Sequence, residues 1–96
     1  MLIDTLSRLK PDIEAAARMY GASRIRVFGS VARGEETEAS DVDFLVDLPR
    51  GYDLFSQRLP LAERLAEITG RPVELVPEHE LSRHIRGRVL REARDL

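Results

Sequence analysis

The chain has 96 residues, the size of one small domain, and its 43% hydrophobic and 33% charged residues describe a packed globule, not a disordered or fibrous chain. With no Cys and only two separated His, disulfides, thiol nucleophiles and Cys- or His-rich metal sites are excluded, so any metal is expected to be held by oxygen. The net charge of −2 is unevenly placed, because residues 81–96 carry five Arg against Glu92 and Asp95, a net of +3, which leaves −5 on the remainder and argues against direct binding of nucleic acid.

Met1 to Leu9 reads as a weakly helical segment. Pro11 then suits the first turn of a helix, where its missing N–H costs little, and Ile13, Ala16, Ala17 and Tyr20 form an apolar stripe that Gly21 ends. Ile25 to Phe28 predicts a short strand. A Gly-flanked turn and an acidic loop lead to a second strand, Val42 to Val46, apolar on both faces as a covered central strand is. Pro49 and Gly51 break the chain. Pro60 opens a helix with Leu61, Leu65 and Ile68 at helical spacing, and Gly70 closes it. Val73 to Val76 is the third strand. Ser82 caps a last helix running toward Arg94, with Leu81, Ile85 and Val89 on one side and Gly87 weakening its middle. This order predicts one α/β (α+β) domain over residues 1–96, a small sheet covered by helices. No apolar run exceeds three residues, whereas a membrane span needs about 20. Acidic residues interrupt the stretch where a signal peptide would lie, so a cytoplasmic protein without membrane attachment is expected.

The informative run is Gly29-Ser30-Val31-Ala32-Arg33-Gly34, followed after five residues by Ser40-Asp41-Val42-Asp43. Gly29 lets backbone approach a ligand with no Cβ in the way. Ser30 offers an N–H and a hydroxyl, and a short helix starting there aims its positive end at an anion, so the turn reads as a phosphate cradle. Asp41 and Asp43 are two residues apart, and on extended backbone both leave the same face and can converge on one or two Mg²⁺ ions. Those ions would in turn neutralise a triphosphate and its leaving pyrophosphate. A third acid from a neighbouring strand would complete a two-metal site, and Glu74, inside the otherwise apolar Val73-Glu74-Leu75-Val76, is the candidate, since its burial without a cation would be costly.

The pattern G-S-x-x-R-G-x5-S-D-x-D-x-x-V resembles the signature of the DNA polymerase β-like nucleotidyltransferases. Within them it is closest to the minimal nucleotidyltransferases, small antitoxins encoded beside HEPN-domain toxins, and the resemblance extends over nearly the whole chain. It implies a small mixed sheet with helices, ATP as substrate and two Mg²⁺ ions. It further implies protein adenylylation, in which AMP is placed on a tyrosine of a HEPN-type ribonuclease toxin and silences it, with the two proteins forming a hetero-oligomer. By the same resemblance Gly29 and Ser30 bind phosphate, Asp41 and Asp43 hold metal, Ser40 steadies the strand mouth or a phosphate, Arg33 shapes the turn or meets phosphate, and Glu74 is the third catalytic and metal-binding acid. Glu74 departs from the pattern, which usually has Asp there; the extra methylene moves a carboxylate by about 1.5 Å.

Two other functions fit the residues: a nucleotidyltransferase for a small molecule such as an aminoglycoside, and an antitoxin acting by binding alone. The first lacks an extra domain to enclose its acceptor, and the second leaves Asp41 and Asp43 without a purpose. Arg33 stands evenly between phosphate and an ion pair with Glu35 or Glu36. His79 and His84 lack spaced partners, and the five Arg of the last helix spread around it as a solvated face.

Overall fold

The structure, a computed structural model, describes residues 1–96. Helices α1 (Leu2–Arg8) and α2 (Lys10–Met19) are separated by Leu9 alone. Pro11 lies in the first turn of α2, and Ile13, Ala16 and Ala17 are its buried stripe. Strand β1 (Ile25–Phe28) pairs antiparallel with β2 (Val42–Val46), and β2 pairs parallel with β3 (Val73–Pro77), in the spatial order β1-β2-β3. The parallel pair needs a crossover connection, which α4 (Leu59–Thr69) supplies before Gly70 stops it in the left-handed conformation. Between β1 and β2 lies the five-residue helix α3 (Gly29–Arg33). The mixed sheet and its helices are the α/β fold that the sequence predicts.

Strand alternation sorts the two faces of the sheet. Val27, Val42, Phe44, Val46 and Leu75 enter the main core with Leu6, Ile13, Leu61 and Leu65 from the helices. Residues one step out of phase, Arg26, Phe28, Asp43, Leu45 and Glu74, point to the opposite face. The last helix, α5 (Arg83–Glu92), lies on that side, where Ile85, Val89 and Glu92 share a cleft with Phe28 and Asp43. Leu45 and Val89 are both buried outside the main core, so β2 is apolar on both faces as a covered central strand should be.

Two features depart from the sequence reading. Beyond the break at Pro49 and Gly51, Leu54–Arg58 forms a π-helical turn that leads into α4, and the Asp53 carboxylate caps it by accepting from the N–H groups of Phe55 (2.8 Å) and Ser56 (3.3 Å). The last helix also stops at Glu92, short of Arg94. Val27 and Arg94 exchange both backbone hydrogen bonds, at 2.9 and 2.8 Å, so the chain end closes the free edge of β1 instead of continuing as helix. No helix is long and apolar enough to cross a membrane.

Candidate active site

β1 ends at Phe28 and α3 begins at the next residue. That turn requires glycine twice over: Gly29 has φ +74°, and a Cβ there would collide with Oδ2 of Asp43. The approach follows from register, since Phe28 pairs with Asp43, and Asp43 in turn pairs with Glu74. One row across the sheet therefore carries the Gly-Ser turn, the second acid of the Asp-x-Asp pair and the proposed third acid. A cleft of about 290 Å³ opens here, lined from the sheet and α3 by Phe28, Gly29, Ser30, Arg33 and Asp43, and from α5 by Ile85, Arg88, Val89 and Glu92.

Asp43 is half-buried, while Asp41, one residue before β2, is exposed. Burial first, then the Glu74 charge and a hydrogen bond to Glu74, and then the Asp41 charge push the Asp43 carboxyl from the usual 3.8 to about 6; Arg33 pulls weakly the other way. Carboxylates are thus crowded here without enough compensating positive charge, and their hard oxygens suit Mg²⁺. No three Asp, Glu or His side chains gather into a closed ligand cluster. Asp43 with Glu74 beside it and Asp41 at the mouth would leave much of the coordination sphere to substrate oxygens and water, which is how Mg²⁺ is usually held. On that count the residues present fit the ion. The expectation that Glu74 is buried needs correction: β3 is an edge strand and Glu74 is exposed, so its link to the site is its register beside Asp43, not desolvation.

Arg33 and Ser40 have partners within the chain. Arg33 donates from Nε to Glu35 (2.7 Å) and from Nη1 to both carboxylate oxygens of Glu92 (3.2 and 3.1 Å). Glu92 Oε1 also accepts the Gly29 N–H at 2.9 Å. Arg33 thus pairs with Glu35, one of the partners the sequence offered, and with Glu92, which it did not. Ser40 lies outside the cleft lining; its Oγ accepts the Thr37 N–H at 2.8 Å, and Arg71 Nη1 donates to the Thr37 carbonyl (2.9 Å) and the Ser40 carbonyl (3.2 Å). These bonds hold the loop before the Asp pair.

Sequence reasoning missed Glu92, whose side chain is only 16% exposed and ties α5 to the Gly-Ser turn. No local pattern could have found it, since its partners are 59 and 63 residues away. The five Arg near the chain end are likewise not one solvated face. Arg86 donates to the Glu78 carbonyl (3.0 Å), Arg94 to the Ala32 carbonyl (3.4 Å), and Arg88 lines the cleft, leaving Arg83 and Arg91 on the open surface. His79 stands beside Tyr52, with ring centroids 6.0 Å apart, and takes no part in the cleft.

Comparison with known proteins agrees with this geometry. Residues 9–96 match the family described as Nucleotidyltransferase domain. Protein adenylyltransferase MntA of Thermococcus cleftensis is 42% identical over 73 residues, which are 76% of this chain and 73% of that protein. A chain solved under the name of a minimal nucleotidyltransferase superposes with a TM-score of 0.86 at 40% identity, covering 100% of this chain and 97% of the other. A toxin–antitoxin crystal structure with AMP-PNP gives a TM-score of 0.75 at 25% identity, covering 90% of this chain and 70% of that one. A Gly-Ser turn seated on an acidic strand row, in a fold shared over the full length of the chain, makes this protein a nucleotidyltransferase and a member of the nucleotidyltransferase domain family.

Proposed function

We propose that this domain is a Mg²⁺-dependent protein adenylyltransferase that moves AMP from ATP to a tyrosine hydroxyl of a HEPN-type ribonuclease toxin, and so acts as its antitoxin. The observation that carries the reading is the register row that sets Asp43 and Glu74 side by side and Asp43 against Gly29. The name of the Thermococcus relative and the toxin–antitoxin neighbour with AMP-PNP support the substrate and the partner.

Bound Mg²⁺ would supply neutralisation of the triphosphate and of the pyrophosphate that leaves. Asp41, Asp43 and Glu74 would hold it. Gly29, lacking a side chain, lets the polyphosphate approach the turn, where Ser30 donates from its backbone and hydroxyl. Glu92 and Arg33 keep that turn in place. Glu74 is exposed at the sheet edge, the side from which an acceptor can arrive, and its carboxylate takes the phenolic proton as the tyrosine oxygen bonds the α-phosphorus and the bond to pyrophosphate breaks. The cleft is open to solvent, so the acceptor protein itself supplies the missing wall.

The test is intact-mass spectrometry of the co-expressed toxin. Wild type should add one or more AMP units to a tyrosine, and Asp43→Asn should abolish the adduct while the complex still forms. Suppressed toxicity with no adduct on the toxin would establish the antitoxin that acts by contact alone.

A further inference from the structure

We infer that Arg88 of α5 is a ligand of the nucleotide's polyphosphate, an inference that rests on the nucleotidyltransfer reading and adds to it a residue outside the Gly-Ser and Asp-x-Asp motifs. Ile85, Arg88, Val89 and Glu92 recur at helical spacing, so one stripe of α5 forms the wall of the cleft opposite Gly29 and Asp43. Val89 is buried and Glu92 is bonded to Gly29 and Arg33, which fixes the stripe's orientation. Position 88 must therefore face the cleft, and the sequence places a guanidinium there.

The charge balance of the cleft gives Arg88 its role. Arg33, the other cation in the lining, commits Nε to Glu35 and Nη1 to Glu92, and Arg86 and Arg94 are held by Glu78 and Ala32. Arg88 forms no ion pair or hydrogen bond within the chain, although Asp43 and Glu92 share its cleft. A polyphosphate entering this acidic site brings several more negative charges, and the oxygens turned away from any metal need donors. An unspent planar fork, already on the cleft wall, matches that need better than any other cation in the lining.

Calorimetry with Mg²⁺ and AMP-PNP, and in parallel with AMP, tests this on the intact chain, comparing wild type with Arg88→Gln, Arg88→Lys and Arg83→Gln. Arg83 is exposed at the start of α5 and outside the cleft lining, so it controls for net charge. Arg88→Gln should weaken AMP-PNP binding by about tenfold or more, a difference of about 1.4 kcal/mol, with AMP binding changed by less than about twofold. Arg88→Lys should fall between, keeping the charge and losing the fork. Because Arg88 has no partner in the chain, circular dichroism and the unfolding midpoint of Arg88→Gln should match wild type. Unchanged AMP-PNP affinity in Arg88→Gln, an equal loss in Arg83→Gln, or an equal loss for AMP each overturns the assignment and leaves the nucleotidyltransfer reading standing. Failure of wild type itself to bind AMP-PNP would instead overturn that reading, and this inference with it.

Discussion

At the scale of single residues, Asp43 is held in a state that costs the fold stability when its carboxyl is ionised. Its carboxyl lies at about 6 in the fold against the usual 3.8, so the native chain binds this proton more tightly than the unfolded chain. The stabilising contribution is complete below about pH 3.8 and is lost as the pH rises through about 6. At pH 7.5 the ionised Asp43 should therefore destabilise the metal-free protein, by about 1–2 kcal/mol once solvent screening of this half-exposed group is allowed for. Asp43→Asn should be more stable than wild type by that amount in urea unfolding at pH 7.5 with chelator. The difference should vanish near pH 4, and an advantage independent of pH would contradict the assigned cause. Glu92 presents the opposite case. Glu92→Ala strands the buried Gly29 N–H, an expected loss of about 1–3 kcal/mol, whereas Glu92→Gln keeps an acceptor and should lose about half as much. Urea midpoints of the two variants check the ranking.

Among the elements, α5 decides whether the site has a second wall. Helices α2 and α4 are fixed by the main core, but α5 is held on the other face by a few contacts: Val89 in its middle, Arg86 on Glu78, Glu92 on the Gly-Ser turn, and the Val27–Arg94 bridge beyond its end. Val89→Ala removes two methyl groups from a site only 1% exposed and should cost about 2 kcal/mol. In hydrogen exchange the α5 amides should lose protection before those of β2, because the core under β2 is untouched. Phe44→Ala, in that core, should cost about 3–5 kcal/mol and reduce protection across the whole sheet. If Val89→Ala loosened the sheet and α5 together, α5 would be part of the main cooperative unit.

For the whole molecule, the uneven charge matters for how a partner arrives. The basic end lies beside the cleft, but only part of its charge is available, because Arg86 donates to the Glu78 carbonyl and stands 3.8 Å from the Glu78 carboxylate. Charge reversal at Arg86 would damage the fold and could not report on docking. Outside the cleft, where Arg88 lies, the free cations are Arg83 and Arg91, and Arg83→Glu with Arg91→Glu should weaken association with the toxin by about tenfold at low salt. The defect should shrink as salt is raised toward about 0.5 M, with AMP-PNP affinity unchanged, as measured by calorimetry at two ionic strengths. A defect that persists at high salt would mean that packing, not charge, is what these positions contribute.

The sequence by itself determined the helices and strands and the motif that names the chemistry. Helix α2, the three strands and α4 follow from apolar spacing and from Pro and Gly at their ends. Gly29, Ser30, Asp41 and Asp43 are legible because they lie within fifteen residues of one another, where local geometry constrains what the chain can do. Tertiary structure decided everything that depends on which distant residues meet. Parallel pairing of β2 with β3 puts Glu74 beside Asp43 and leaves it exposed on an edge, although its apolar neighbours in sequence suggested burial. Pairing of Arg94 with Val27 ends the last helix early, and only the docking of that helix brings Glu92 and Arg88 to the Gly-Ser turn and separates them from the Arg residues left to solvent. Periodicity records which face of an element is buried, but it carries no record of which residue stands opposite, because that is set by sheet register and helix packing over separations of dozens of residues.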